Sequence, residues 1–167
     1  GVVGMGIGRS HVRGWNSVDG AAAVVFAELD ETKRAHGEAE WGIPGVDSLD
    51  ALLDPASPHR VDVIDLCTPP SMHEEQIVRC LDAGFHVICE KPMTVDAEKA
   101  QAVVDTIERT GRKLTVTFNY RFQPAITLLR DVVASGKIGT PTLVDFMWTL
   151  NTSHGADYFR RWHREKD

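Results

Sequence analysis

Apolar residues in this chain gather in short blocks, separated by longer polar stretches with helical spacing. "AAAVVFAEL" (residues 21–29), "VDVIDLC" (61–67), "FHVIC" (85–89) and "LTVTF" (114–118) are such blocks, and residues 1–3 open the chain with another. They are rich in Val, Ile, Phe and Cys, which suits strands buried on both faces. The segments between them read as helices. "DETKRAHGEAEWG" is polar and helix-prone, and Gly42 with Pro44 ends it. Residues 47–53 predict a short helix capped by Asp47 or Ser48. Ser71 is placed to cap a helix whose Ile77, Val78 and Leu81 share a face, with Gly84 past its end. Thr94 or Asp96 caps another, in which Ala100, Val103, Val104 and Ile107 follow the i, i+3, i+4, i+7 stripe until Gly111.

Strands alternating with helices across short turns predict βα units and a parallel sheet, and right-handed crossovers make it doubly wound. The character changes after Arg121. Residues 124–135 form an amphipathic helix (Ile126, Leu129, Val132, Val133) ended by Gly136, and "TPTLVDFMWTL" (140–150) reads as a strand. The expected division is therefore a doubly wound α/β domain over 1–122. Residues 123–167 then begin a second, incomplete α/β domain built on an open, mainly antiparallel sheet. Both ends read as the interior of a longer protein: residues 1–3 already have strand character, and "RRWHREKD" has no closing element.

Composition narrows the class. The 167 residues carry a formal net charge of −6, which argues against a nucleic-acid surface. No apolar run approaches the roughly 20 residues that span a bilayer. Three cysteines (Cys67, Cys80, Cys89) lack metal-ligand spacing, so no metal site is expected, and reduced thiols in a cytoplasmic protein fit them.

"GVVGMGIGRSH" sets Gly4, Gly6 and Gly8, with Ile7 and Arg9 between and after them, directly behind a strand and ahead of a helix. A dinucleotide pyrophosphate sits at such a place, on helix amides at the positive dipole end. The spacing is G-x-G-x-G, and a glycine turn without a ligand is the competing reading. An acid about 20 residues on would bind the adenosine ribose. Glu28 fits, with Asp30 second, although a solvated surface acid is the default for any glutamate. No Arg or Ser follows Glu28 at once, so NAD is favoured over NADP. "CTPPSMH" brings Thr68, Pro69 and Pro70 to the same sheet edge, with His73 as a ligand contact or a solvated helix-start residue. "VICEKPMTV" places Glu90, Lys91 and Pro92 at the end of another buried strand. Charges there want a reason, because burying them unpartnered is costly. Lys91 can donate to a ligand or move a proton, Glu90 can fix its charge state, and Pro92 can lock the turn through a cis bond. A plain surface ion pair is the alternative.

Taken together, the Gly4-Gly6-Gly8 turn with "RSH", the Thr68-Pro69-Pro70…His73 segment, Glu90-Lys91-Pro92, "NYRF" (Asn119–Phe122) and "SGKIGTPTLVDF" resemble the Gfo/Idh/MocA family of nicotinamide-dependent oxidoreductases. The resemblance implies a Rossmann cofactor domain followed by an α/β domain with a large open sheet. It implies that Lys91 lies beside the nicotinamide and contacts a substrate hydroxyl, with hydride passing between a sugar, polyol or cyclitol carbon and the ring. Asn119 and Arg121 become pocket residues by position, and Arg161, Trp162 and His163 can reach cofactor or substrate, a surface aromatic-basic cluster being the equal alternative. The family's catalytic histidine and aspartate would lie beyond residue 167. A homodimer or tetramer is implied for the full-length protein. Two alternatives stay open: an NAD-retaining glycosidase of similar architecture, and a non-enzymatic dinucleotide-binding sensor.

Overall fold

The protein is described here by a computed structural model covering residues 1–147 and residue 149. It contains a compact unit over Gly1–Phe118, and a second unit begins at Asn119. In the first unit the chain runs β1 (Val2–Val3), α1 (Gly8–Trp15), β2 (Phe26–Ala27), α2 (Glu31–Trp41), β3 (Gly45–Val46) and α3 (Leu49–Leu53). It continues through β4 (Val63–Leu66), a 3₁₀ turn (Pro70–Met72), α4 (His73–Asp82), β5 (His86–Cys89), α5 (Ala97–Thr110) and β6 (Leu114–Val116).

All six strands are parallel, in the order β3-β2-β1-β4-β5-β6. The order reverses between β1 and β4, where carboxyl ends of neighbouring strands open a crevice. Alternation along each strand divides the core. Val3, Ile64, Leu66, Val87 and Cys89 pack with Leu52, Ile77, Leu81 and Val103. Val2, Phe26 and Cys67 pack on the opposite face with Met5, Val12, Trp15 and Trp41.

Local chemistry explains most element ends. Ser48 and Asp96 accept from the amides of Ala51 and Lys99, capping α3 and α5. Asp30 does the same for α2 through Lys33, and Gly42 and Gly111 close α2 and α5 in the left-handed conformation.

Several expectations are corrected. The strand expected over 21–29 contracts to Phe26–Ala27, because its partner β1 offers only Val2 and Val3 for pairing. Ser71 caps nothing: Pro69 and Pro70 lead into a 3₁₀ turn, with the Met72 amide donating to the Pro69 carbonyl, and α4 starts at His73. Strand β3 was not anticipated. It is a two-residue edge strand, and Gly45 is needed there because a Cβ would lie 2.6 Å from the Arg34 side chain and 2.7 Å from the Phe26 ring.

In the second unit, a 3₁₀ turn (Asn119–Phe122) precedes α6 (Pro124–Ala134), with proline at its amino end and Ser135 at its carboxyl end. Residues 140–147 form no strand. Among the described residues, no helix is long and apolar enough to cross a membrane.

Candidate functional site

The site is built at the carboxyl ends of β1, β2, β4 and β5. Behind β1 the chain turns at Gly4, whose φ of +88° disfavours any L side chain. A Cβ at Gly4 would also stand 2.9 Å from the Cys67 carbonyl oxygen. At Gly8 a Cβ would press on Met5 and Val2 at 3.2 Å, so this glycine lets α1 pack closely on β1. Gly6 differs: nothing lies within 4 Å of its Cβ position. The three glycines therefore divide into turn, open approach and close packing, the division a dinucleotide loop uses, despite the shortened spacing. Ile7, half exposed, precedes α1, whose first turn has no side-chain cap, and Arg9 stands half-buried in that turn. The Ser10 amide donates to the Ile7 carbonyl at 2.8 Å, and the Gly8 and Arg9 amides ahead of it have no capping side chain, which suits an anion there.

Glu28 follows β2 and reaches back to this loop. One carboxylate oxygen accepts from the Met5 amide at 3.0 Å, the other from the Asp30 amide at 3.0 Å. Asp30, the second candidate, caps α2 with one carboxylate oxygen, which accepts from the Lys33 amide at 3.0 Å. Arg34 donates to the Glu28 carbonyl at 2.8 Å, which turns the nearby guanidinium to the main chain.

Behind β4, Pro69 is exposed and Pro70 half-buried, walling the crevice. The Thr68 hydroxyl donates to buried Gln76 at 2.6 Å. His73 corrects both expectations for it. It is fully buried, and its ring nitrogens lie 2.8 Å from the Thr68 carbonyl oxygen and 2.7 Å from the Pro92 carbonyl oxygen. His73 is a brace between the loops behind β4 and β5, inaccessible to a ligand.

The Lys91–Pro92 peptide is cis, as the strand-end proline suggested. Lys91 is exposed, and its ammonium has no hydrogen-bond or ion-pair partner among the described residues. Glu90 turns away from it. One Glu90 oxygen accepts from the Thr117 hydroxyl at 2.6 Å and lies 3.3 Å from His11 Nε2, while the other accepts from the Lys91 amide. His11 Nδ1 in turn faces the buried Asp65 carboxylate at 2.9 Å, and Trp15 Nε1 donates to the same carboxylate at 2.7 Å. Hydrogen bonding to Asp65 raises the His11 pKa above its ordinary value. Desolvation opposes this, and the charges of Asp65 and Glu90 reinforce it.

Three of these residues escaped the sequence reading as site residues: His11, Asp65 and Thr117. A signal was present, because Asp65 interrupts an apolar strand block, and His11 and Trp15 lie four apart on one helix face. All three cysteines are free and buried. Burial pushes the Cys80 and Cys89 thiols up to about 12 and the Cys67 thiol higher still. His11, Asp65 and Cys67 bring three donor atoms within 4.8 Å of one another. With the thiol held neutral and the carboxylate already engaged by His11 and Trp15, this group is a hydrogen-bonded cluster and a poor metal site.

This arrangement has relatives. Residues 1–118 match the family described as "Oxidoreductase family, NAD-binding Rossmann fold". The chain belongs to this family. It is 34% identical to an inositol 2-dehydrogenase of Rubrobacter xylanophilus over all of this chain and 44% of the relative. It is 33% identical to a D-apiose dehydrogenase of Paraburkholderia graminis over 92% of this chain and 41% of the relative. A scyllo-inositol dehydrogenase from Lactobacillus casei, solved with NAD(H) and scyllo-inositol, superposes with a TM-score of 0.76 at 25% identity. That match covers 83% of this chain and 41% of the other. The chain spans less than half the length of the curated relatives it matches.

As an oxidoreductase-family domain the chain brings Gly4, Gly6, Ile7, Gly8, Arg9, Glu28, Thr68, Pro69, Pro70, Glu90, Lys91 and Pro92 to one sheet edge. Asn119 and Arg121 fall in the second unit, on its opening turn. Arg161, Trp162 and His163 lie outside the described residues. A depression at the amino ends of β1 and β4, lined by Trp15, Ala22, Val24 and Arg60 among others, is remote from these loops.

Two outcomes follow from the geometry. Gly4→Ala is expected to lower unfolding stability by at least about 1–2 kcal/mol, the cost of a side chain in the left-handed region. Gly6→Ala is expected to stay within about 0.5 kcal/mol, as for an open surface position; urea denaturation of both variants checks this. His11 has a raised folded pKa, so its contribution is full below the unfolded value of about 6.5 and fades as pH climbs through the folded value. Above pH 6.5 the stability difference between the native chain and His11→Gln should therefore narrow with rising pH in denaturation curves.

Proposed function

We propose that the chain is the cofactor-binding part of an NAD-dependent dehydrogenase acting on a sugar, polyol or cyclitol hydroxyl. The observation that carries this reading is the convergence of the open Gly6 turn, the uncapped start of α1 and the Glu28 carboxylate at one sheet edge. The pyrophosphate would rest on the amides at the start of α1, close to Gly6, where no Cβ stands in the way. Glu28, fixed by two amides, keeps lone pairs for the adenosine ribose hydroxyls. Its charge repels a 2′-phosphate, which favours NAD over NADP. A bound nicotinamide would supply the hydride acceptor. Lys91, exposed at the end of β5, donates to the substrate hydroxyl and helps move its proton. Sugar and cyclitol dehydrogenases among the relatives support the substrate class. Three free buried cysteines support a cytoplasmic location. Assembly into a homo-oligomer, with the part beyond residue 122 shaping the substrate pocket, completes this reading.

Fluorescence titration tests the cofactor half. NADH should bind and NADPH bind more weakly. Glu28→Ala should weaken NADH roughly tenfold to a hundredfold, the loss of hydrogen bonds to a charged acceptor. Binding of neither dinucleotide, or a preference for NADPH, overturns the reading. Lys91→Met tests the chemistry in the whole protein. NADH binding should persist while turnover falls roughly 10²–10⁴-fold; turnover at the native level would remove Lys91 from the chemistry, and a whole protein that binds NADH but turns nothing over, its ligand response unchanged in Lys91→Met, would be a dinucleotide sensor.

A further inference from the structure

His11 stands between two carboxylates, one on β4 and one just after β5. Its Nδ1 lies 2.9 and 3.1 Å from the two Asp65 oxygens, and its Nε2 lies 3.3 Å from Glu90. A carboxylate only accepts, so Nδ1 carries a hydrogen toward Asp65. The groups around the ring are Asp65 from β4, the Cys67 thiol just after β4, Glu90 just after β5 and Trp15 from its own helix; Cys67 and Trp15 both donate to Asp65, and Thr117, beyond β6, meets the ring through Glu90. Burial of Asp65 alone requires donors on Asp65, which Trp15 and Nδ1 provide. It does not require the second ring nitrogen to turn toward Glu90.

We propose that His11 and Asp65 are a positioning pair for the Lys91 turn. Asp65 orients the imidazole, Nε2–H holds Glu90, and Glu90 holds the backbone amide of Lys91. The consequence for turnover rests on the function proposed above, whereas the positioning itself does not. Glu90 is held on both oxygens, by Thr117 and His11 on one and by the Lys91 amide at 3.2 Å on the other. When the ring loses its Nε2 proton, a lone pair meets the carboxylate and this hold weakens.

The test is nuclear magnetic resonance of this chain, following the Lys91 amide and the His11 ring protons across a pH titration without cofactor. The Lys91 amide should shift with the same midpoint as the His11 ring. A Lys91 amide that stays flat through that midpoint overturns the proposal, with no variant needed. His11→Asn retains an amide where Nδ1 stood but is too short for Glu90. It should abolish that inflection and exchange the Lys91 amide roughly three- to tenfold faster, as for one lost hydrogen bond. An unchanged inflection in folded His11→Asn also overturns the proposal. His11→Gln, which places an amide nearer to Glu90, should restore slower exchange. If the native chain binds no NADH, the oxidoreductase reading fails while these resonances still decide the positioning role.

Discussion

The carboxyl edge of the sheet is aligned by four main-chain hydrogen bonds that continue the parallel ladders one residue into the loops. The Gly4 amide donates to Ala27, Cys67 to Val3, Glu90 to Leu66 and Thr117 to Cys89, all at 2.8–2.9 Å. Each loop thus starts beside its neighbour's last paired residue. The glycine turn, the Thr68 segment and the Glu90 turn are therefore adjacent across the sheet, although they lie far apart in sequence. Other requirements follow from this alignment. Gly4 tolerates no Cβ because the Cys67 carbonyl is fixed against it, and Thr117 reaches Glu90 because both follow paired strand ends.

Within this frame the buried carboxylate of Asp65 is the costly element. Ions in an apolar layer lose hydration that partners only partly restore, and an apolar substitute is often no less stable. Removing a single partner is another matter, because it leaves the charge uncompensated. Trp15 and His11 share a face of α1, so the helix that starts at the glycine loop also carries the two nitrogen donors for Asp65, beside the weak Cys67 thiol donor. The packing of α1 on the sheet and the satisfaction of Asp65 are thus one event. A shift of α1 that disturbed the glycine loop would also strip Asp65 of its two nitrogen donors.

How far the sequence discloses this structure depends on whether the determining contact is local. Caps at Ser48 and Asp96, and left-handed stops at Gly42 and Gly111, involve neighbours within a few residues and were legible. So was the parallel sheet, through its apolar blocks, and the family expectation agrees with the match over 1–118. Strand lengths were not legible, since β2 is limited by its partner β1 and not by its own composition. Strand β3 is too short to leave a period. His73 looked like a surface or ligand residue because its two partners, Thr68 and Pro92, meet only through the β4–β5 register. Asp65, His11 and Thr117 were missed for the same reason: their contacts span 27 to 54 residues of sequence.

The lysine at the end of β5 shows what these remote contacts accomplish together. On its amino-terminal side, the Glu90 amide is held by Leu66 and the Glu90 carboxylate by Thr117 and His11. On its carboxyl-terminal side, the Pro92 carbonyl faces buried His73. Lys91 is therefore a long, exposed side chain on a base fixed from both flanks. Reach comes from its own methylene stem, and accuracy from residues on α1, α4 and the segment after β6. A site that binds a substrate hydroxyl beside a flat cofactor ring needs both, because a misplacement of about 1 Å can cost about a hundredfold in rate. The charges at this strand end are consequently not a surface ion pair: Glu90 serves the scaffold, and the Lys91 ammonium meets no carboxylate among the described residues, as the proposed function requires of it.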